Sequence, residues 1–231
     1  MKKVKMKNKT HVMKLITLVI FCFCYAVQAQ DFEGVVVYEI EALNPNPKII
    51  SDSLWNAKIE EEYGSDGKAK QRYFYKNQNY LSVMTGGQKR GYQLYDPENK
   101  LIYSWEEGSD TAITVDSRDF IDELIGIKSL DRKDTILGIP TDIVSVKSKF
   151  GETIIWYNSN YLKIDPKLYK GHKYGHWYPI LEKTKSLPLK IETKSFMTHM
   201  VQTAVDYEQK SIEIDKFKLP SFKYVMANPV N

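Results

Sequence analysis

Residues 32–41 read FEGVVVYEIE, and their residue types alternate with a period of two. One set of alternate positions is mainly apolar and consists of Phe32, Gly34, Val36, Tyr38 and Ile40. Because successive side chains of a β-strand point to opposite faces, this pattern predicts a strand with one buried face. The run NPNP at 44–47 ends the strand, since proline cannot donate a hydrogen bond to a neighbouring strand.

Strand-length segments of the same kind recur along the rest of the chain. They are separated by turn-forming runs such as DPEN at 96–99 and GE at 151–152. Asparagine, aspartate, glycine and proline each favour tight turns for their own steric reasons. The pattern predicts strands at 71–76, 80–84, 91–95, 101–105, 111–115, 135–136, 141–149, 153–157, 187–196 and 198–207.

Residues 55–63 allow two interpretations. Apolar residues alternate with polar ones before the run GSDG at 64–67, which predicts a strand that ends in a hairpin turn. A short helix that starts near Ser53 is the alternative, because serine is a favourable residue immediately before a helix.

The period changes between residues 116 and 126. Phe120 with Leu124, and Ile121 with Ile125, are spaced four residues apart. Side chains with this spacing share one face of a helix. Capping residues precede the pattern and a glycine follows it, so the segment predicts a short amphipathic helix.

These elements predict a mainly β fold. We expect a curved antiparallel sheet, an unclosed half-barrel of about ten strands, with one or two short helices. A sheet with so many strands tends to curl, and its concave face has to be covered. The predicted helix near residues 117–126 is the expected plug for that face.

The first 29 residues have the composition of a secretory signal peptide. They contain six lysines and no acidic residue, followed by an apolar run at 15–26 and by Val27-Gln28-Ala29. Signal peptidase accepts small residues one and three positions before its cut. We therefore expect cleavage after Ala29, export to the periplasm or the extracellular space, and a single mature domain at 30–231.

Other interpretations of this leader fit less well. Cys22 and Cys24 each follow a phenylalanine, whereas a lipoprotein signal needs a small residue before the acylated cysteine. The apolar run is shorter than the roughly 20 residues of a spanning helix, so we expect no membrane span after cleavage. Met13 is an alternative start that would give a more compact signal peptide.

Removal of the leader changes the charge of the chain. The 231 residues contain 33 basic and 29 acidic side chains, and without residues 1–29 the basic count falls to 27. A nearly neutral mature protein predicts no nucleic-acid partner. Both cysteines also lie in the leader, so the mature chain has no disulfide and no thiol nucleophile. Its stability has to come from a hydrophobic core.

Five segments together resemble a known family. They are FEGVVVYEI at 32–40, DTILGIPTDIV at 134–144, IIWYNSN at 154–160, LPLKIE at 187–192 and FKLP at 217–220. With the leader, they look like the periplasmic lipoprotein-carrier (LolA/LolB-like) half-barrels and, more closely, the uncharacterised GLPGLI-type secreted families. The resemblance implies an unclosed barrel around helices, with an apolar cavity that shelters acyl chains in the carriers. The chain reads KSLPLKIE where those relatives have GLPGLI, and no family site residue carries over.

The histidines are the candidate metal ligands. His172 and His176 are four residues apart and could bind zinc on a helix, with His199 as a third ligand. Gly171 and Gly175 instead predict that this stretch is a loop. We therefore expect no metal and no cofactor.

Catalytic patterns are equally weak. Glu60, Glu61, Glu62 and Asp66 could supply paired carboxylates, but alternation along a strand would place neighbours on opposite faces. The chain contains no GxSxG motif around a serine. We expect that the protein is not an enzyme.

Apolar and aromatic stripes are the candidate ligand-binding residues. The proposed apolar face consists of Phe32, Val36, Tyr38, Ile40, Leu101, Tyr103, Trp105 and Trp156. Such residues either fill a core or line a cavity for a hydrophobic ligand. The loop KLYKGHKYGHWYP at 167–179 adds a candidate lip of exposed residues, His172, Tyr174, His176 and Trp177.

Two functions of different classes follow. The first is non-enzymatic binding or carriage of a hydrophobic ligand, a lipid or a lipidated protein, in the half-barrel of an exported envelope protein. The second is a structural or protein-interaction module of the envelope that has a filled core and engages a partner through strand edges or the aromatic loop.

Overall fold

The structure, a computed structural model, describes residues 31–87 and 89–228. The predicted signal peptide and its cleavage site lie outside these residues. The strands are β1 (Gly34–Leu43), β2 (Lys68–Lys76), β3 (Asn79–Gly86), β4 (Lys89–Asp96), β5 (Leu101–Glu106), β6 (Thr111–Asp116), β7 (Leu124–Ile136), β8 (Ile139–Ser148), β9 (Gly151–Tyr157), β10 (Lys190–Ser195), β11 (His199–Gln209) and β12 (Tyr224–Ala227). The helices are α1 (Asp52–Tyr63), α2 (Trp177–Thr184) and the 3₁₀ helices Pro166–Tyr169, Tyr174–His176 and Ile214–Phe217.

All twelve strands belong to one sheet, in the order β12-β6-β5-β4-β3-β2-β1-β11-β10-β9-β8-β7. Strands β1–β6 form one meander and β7–β11 form a second, and the pairing of β1 with β11 joins the two. The pairings are antiparallel except that β12 runs parallel to β6. The predicted mainly β, curved and unclosed sheet with two short helices is confirmed, although β12 and most of β7 were not predicted.

The inner face of the sheet can be followed across the first meander by its register. Val36 pairs with Tyr73, and Tyr73 pairs with Ser82. The same row continues through Gln93 to Ser104. Residues directly opposite each other on neighbouring strands project from the same face. This row therefore runs across the inner face from β1 to β5.

Residues 158–189, called the plug from here on, cover this inner face. The buried residues that the plug adds to the main core are Leu162, Ile164, Tyr169, Leu181, Leu187 and Leu189. Its two ends come together through a bridge between Lys163 and Ser186. The side chain of Asp165 accepts a hydrogen bond from the backbone N–H of Lys167 at 3.0 Å, which caps the turn at Pro166–Tyr169.

The predicted plug at residues 117–126 is wrong. Leu124 begins the long strand β7, which pairs with β8, and the residues before it form turns. Phe120 and Ile121 are each 52% exposed, so they cover no core. An isolated helix of about ten residues is marginal in water, and the inner face that would stabilise it is already occupied by the plug.

The predicted strand at residues 55–63 is also wrong, and the alternative helix is correct. Helix α1 follows Ser51, whose hydroxyl accepts a hydrogen bond from the backbone N–H of Leu54 at 3.4 Å. The Trp55 indole N–H donates to the carbonyl oxygen of Ala42 at 2.9 Å and fixes the helix against the end of β1. Side-chain capping and helix-favouring lysine, alanine and glutamate residues outweigh the alternating pattern here.

The outer face of the first meander is covered by residues 210–223, called the C-terminal segment from here on. Ile212 and Phe217 pack against Val35, Leu81 and Leu94 in a second buried cluster. The FKLP run at 217–220 thus packs on the outer face of the sheet through Phe217 and Leu219. Within the described residues, no helix is long and apolar enough to cross a membrane.

Candidate ligand-binding site

The predicted apolar face is divided between the two sides of the sheet. Phe32, Val36, Tyr38 and Ile40 are buried on the inner side. Tyr103 pairs with Leu94, which belongs to the outer cluster, so Leu101, Tyr103 and Trp105 project outward.

The residue of β5 that contributes to the inner core is Ile102, which pairs with Tyr95. The sequence pattern identified alternate positions but could not decide which set turns inward. On the outer face, Trp105 stacks on Tyr92 at 5.2 Å between ring centroids and meets Phe222 edge-on at 5.4 Å.

Trp156 is buried in the main core cluster, but the register places it on the opposite side of β9 from the chamber-facing row. Its neighbour Ile155 pairs with Ile191, which pairs with the inner-face residue Gln202. Two cations also contact its ring, with Lys190 Nζ 4.6 Å and the Arg132 guanidinium 5.8 Å from the ring centroid. These contacts give Trp156 a structural role.

A cavity of about 150 Å³, called the chamber from here on, lies between the inner face and the plug. Its walls are mostly aromatic, with polar groups at intervals. The lining residues are Tyr38, Tyr73, Tyr75, Tyr80, Gln93, His172, Tyr174, Gly175, Trp177, Pro188, Ile191 and Gln202. None of these described lining residues is an aspartate, glutamate, lysine or arginine.

A chain of hydrogen bonds fixes the polar groups on the sheet side. The Gln202 amide nitrogen donates to Gln71 Oε1 at 2.9 Å. The Gln71 amide nitrogen donates to Ser82 Oγ at 2.7 Å and to the Tyr73 hydroxyl at 3.1 Å. On the other side, the Tyr38 hydroxyl donates to the Pro188 carbonyl oxygen at 2.7 Å and ties the plug to β1.

His172 belongs to the wall of the chamber and is only 2% exposed, which corrects its predicted place on an exposed lip. Its Nε2 lies 3.1 Å from the Tyr80 hydroxyl. Burial lowers the pKa of His172 to about 4, against an opposing effect of the backbone carbonyls of His172 and Tyr174. The imidazole is therefore neutral at pH 7.

The other predicted lip residues lie beside the chamber or line it. Tyr174 is exposed, while Trp177 and His176 are partly buried. His176 Nε2 is 3.9 Å from an Asp122 carboxylate oxygen. His199 is elsewhere, with Nε2 3.0 Å from Glu192, so the three histidines have separate partners. In the described part of the chain, no three histidine, cysteine or acidic side chains meet as a metal site would require.

Several polar atoms of the plug are buried without a partner among the described residues. They are the Tyr169 hydroxyl, His172 Nδ1, Trp177 Nε1 and Ser186 Oγ, and two of these residues, His172 and Trp177, also line the chamber. A buried polar group that lacks a hydrogen bond costs free energy. The plug side of the chamber therefore carries two polar atoms that the described residues leave without a hydrogen bond.

Two open clefts on the inner face adjoin the chamber. One has a volume of about 520 Å³, is lined in part by Gln71, Ser82 and Ser104, and shares Gln93 with the chamber. The other has a volume of about 340 Å³ and shares Tyr174 and Gly175 with the chamber. We call them the Ser82–Ser104 cleft and the Phe120–Phe150 cleft.

The Phe120–Phe150 cleft has two unlike walls. One wall is formed by Phe120, Ile121 and Phe150, each more than half exposed. The other wall is polar and carries Thr153 and Lys194, further threonines, and the carboxyl groups of Asp122 and Glu152. Large apolar side chains that remain exposed along a cleft often mark a binding surface. A cleft with one apolar and one polar wall suits an amphipathic molecule.

Sequence reasoning missed most of the chamber. Tyr73 and Tyr75 occupy alternate positions of β2, but Phe74 between them is also aromatic and packs on the outer face, so the local pattern does not decide which side turns inward. No local signal identifies Gln93 or Gln202 as lining residues, because their position depends on the pairing of distant strands.

Comparisons with known proteins assign the chain to no family and to no function. No family model matches the chain, and no curated protein matches it. Among solved structures, PNGF-II is similar with a TM-score of 0.45 at 10% identity, over 85% of this chain and 32% of that chain. This chain therefore spans about a third of PNGF-II.

Two further solved structures align with most of both chains. An uncharacterised conserved protein from Thermus thermophilus gives a TM-score of 0.43 at 7% identity, over 85% of this chain and 91% of that chain. LprF from Mycobacterium bovis gives a TM-score of 0.33 at 10% identity, over 79% of this chain and 88% of that chain. TM-scores below 0.5 establish neither a shared fold nor a shared function. The observed half-barrel agrees with the resemblance to the carrier-like proteins, and membership of their family stays a prediction.

The buried His172 makes stability depend on pH. Its pKa falls from about 6.5 in the unfolded chain to about 4 in the folded protein. The unfolded state therefore binds more protons between these values, and the stabilisation present above pH 6.5 is lost as the pH falls towards 4. We expect a loss of about 3 kcal/mol between pH 7 and pH 4. Urea unfolding of the wild type and of His172→Gln at both pH values measures it, and equal pH dependence of the two proteins would contradict the assignment.

Proposed function

We propose that the protein is an exported, non-enzymatic binding protein that holds a hydrophobic ligand, a lipid or the acyl group of a lipidated protein. The proposed site is the Phe120–Phe150 cleft, which adjoins the chamber at Tyr174 and Gly175. The observation that carries this proposal is the exposure of three large apolar side chains along one cleft, Phe120, Ile121 and Phe150.

The size of the cavities supports this location. Pockets for drug-sized ligands have volumes of roughly 300–1,000 Å³. The Phe120–Phe150 cleft, at about 340 Å³, falls within that range, and so does the cleft of about 520 Å³, whereas the chamber, at about 150 Å³, does not. The exposed phenylalanines favour the first of the two clefts. Because the plug fills much of the inner face, an acyl chain fits this cleft more readily than the chamber. The polar part of the lining, which consists of threonines with Lys194, Asp122 and Glu152, suits a polar headgroup.

Ligand binding by this cleft is tested with palmitate as the probe. Ile121→Asp and Phe150→Asp should each weaken palmitate binding about ten-fold or more, because a carboxylate would be buried against the acyl chain without a partner. Ile49→Asp is the matched control, since Ile49 is 71% exposed and does not line the cleft. Titration calorimetry gives the affinities, and native mass spectrometry of gently purified protein shows whether lipid mass is retained. Equal affinity in all three variants would exclude the cleft as the site.

A second candidate function is a protein-interaction module. Strand β12 is an edge strand, and its residues Tyr224, Val225 and Met226 are each at least 50% exposed. An exposed apolar edge can accept a strand from another protein. Absence of palmitate binding, combined with capture of a partner that deletion of residues 224–228 abolishes, would favour this function.

A further inference from the structure

The chamber differs from the Phe120–Phe150 cleft in its chemistry. Its polar lining groups are uncharged hydroxyl, amide, imidazole and indole groups. Transfer of an ion into such a cavity is costly unless a charge of opposite sign accompanies it, and none of the described lining residues supplies a carboxylate, ammonium or guanidinium group. The chamber therefore suits a neutral occupant.

The chamber also has room for one small ring. Empty cavities of about 150 Å³ with purely apolar walls accommodate a single benzene-sized molecule. This chamber has the same volume of about 150 Å³, but part of its lining is polar. A six-membered ring that bears hydroxyl groups matches both its size and its mixed walls better than a hydrocarbon ring does.

Unused hydrogen-bonding groups are available on the sheet side. Tyr75 is only 2% exposed, and its hydroxyl forms no hydrogen bond with any described residue. The Gln202 amide nitrogen donates to Gln71, and the Gln93 amide nitrogen donates to Ser104. The amide oxygens of Gln93 and Gln202 have no hydrogen-bond partner in the described chain. The Tyr75 hydroxyl can donate or accept, and the two amide oxygens accept. A ligand with several hydroxyl groups could satisfy all three.

Aromatic faces complete the site. Tyr73 and Tyr75 are stacked 5.6 Å apart with an interplanar angle of 13°, and Tyr80 is tilted against both at 6.3 Å. The faces of aromatic rings carry partial negative charge, so they attract the weakly positive C–H groups of a saturated ring. Polar groups at the ring edge and C–H groups on its faces are both features of a sugar ring.

We propose that the chamber is a separate binding site for a neutral polyhydroxylated ring, the size of one pyranose sugar residue. Tyr75, Gln93 and Gln202 bond its hydroxyl groups, and the tyrosine rings of β2 and β3 pack on its C–H faces. The site does not require a lipid in the neighbouring cleft.

The test uses the methyl glycosides of glucose, galactose, mannose and N-acetylglucosamine, titrated into the intact mature protein and followed by saturation-transfer NMR. At least one should bind saturably with millimolar affinity. Tyr75→Phe should weaken that binding about ten-fold, because it removes one hydrogen bond and keeps the aromatic ring. Gln93→Leu should have a similar effect.

Tyr103→Phe is the control, because Tyr103 lies on the outer face of the sheet and its hydroxyl cannot reach the chamber. It should leave glycoside affinity unchanged. Equal binding by Tyr75→Phe and Tyr103→Phe, no saturable binding of any of the four glycosides, or preferential binding of tetramethylammonium or phenol would overturn the proposal. Palmitate affinity measured on Tyr75→Phe should remain that of the wild type, so failure of the sugar site and failure of the lipid site are distinguished.

Discussion

Replacement of Tyr38 with alanine should lower the free energy of unfolding by about 3–5 kcal/mol, the usual cost of truncating a buried aromatic residue. Tyr38 is 2% exposed, packs edge-on against Tyr73 at 5.8 Å between ring centroids, and bonds the Pro188 carbonyl oxygen. The substitution removes the ring and leaves that buried oxygen without a donor. It also loosens the attachment of the plug to β1. Denaturant unfolding with a constant m-value measures the effect.

Tyr103→Ala is the matched comparison, because it removes the same side chain from the outer face, where Tyr103 is only partly buried. We expect less than half the loss seen at Tyr38. Comparable losses at both positions would mean that the inner face is not the better-packed side. Tyr38→Phe removes the hydroxyl and keeps the ring, and it should lower the free energy of unfolding by about 1–2 kcal/mol.

Replacement of Leu181 with alanine should cost about 2–5 kcal/mol, because this residue of α2 is fully buried against the inner face. Ile121→Ala should cost less than about 1 kcal/mol, because Ile121 is 52% exposed. The pair compares the segment that covers the sheet with the segment that the sequence pattern selected for that role. A larger loss at Ile121 than at Leu181 would show that residues 117–126 pack into the core after all. Thermal and urea unfolding should give the same order.

The strands were predictable because their signal is local. In residues 32–41 the alternation alone places β1 and divides its side chains between two faces. Turn residues such as DPEN at 96–99 then fix where each hairpin ends, since Asp96 accepts hydrogen bonds from the backbone N–H groups of Glu98 and Asn99. Period-two patterns and turn chemistry act over a few residues, so they can be recognised in the sequence without knowledge of the fold.

The plug was not predictable because its stability comes from tertiary contacts. Helix α2 has eight residues and contains Pro179 in its first turn, with glycines at 171 and 175 before it, which is the composition of a loop. Burial of Ile180 and Leu181 stabilises it in place. Residues 116–126 show the opposite case, where helical spacing is present but no surface is left to receive the apolar face.

The candidate site was predicted only in outline. Four residues singled out from the sequence line the chamber, namely Tyr38, His172, Tyr174 and Trp177. Tyr103 and Trp105 lie on the other side of the sheet. Which set of alternate residues turns inward is decided by register across several strands. Gln93 and Gln202 enter the site from strands far apart in the chain, and only the assembled sheet brings them together.

The ladder between β1 and β11 has a consequence for the order in which the protein folds. It pairs residues 34–43 with residues 199–209, which are nearly a whole domain apart in sequence. Ladders of this separation form slowly, because the intervening chain must be ordered first. During synthesis the meander β1–β6 is complete before β11 exists. Until β11 is made, one edge of β1 is unpaired and the tyrosines of the inner face are exposed. That half-finished sheet is the species most prone to aggregate, and a chaperone that shields the free edge of β1 should raise the yield of folded protein.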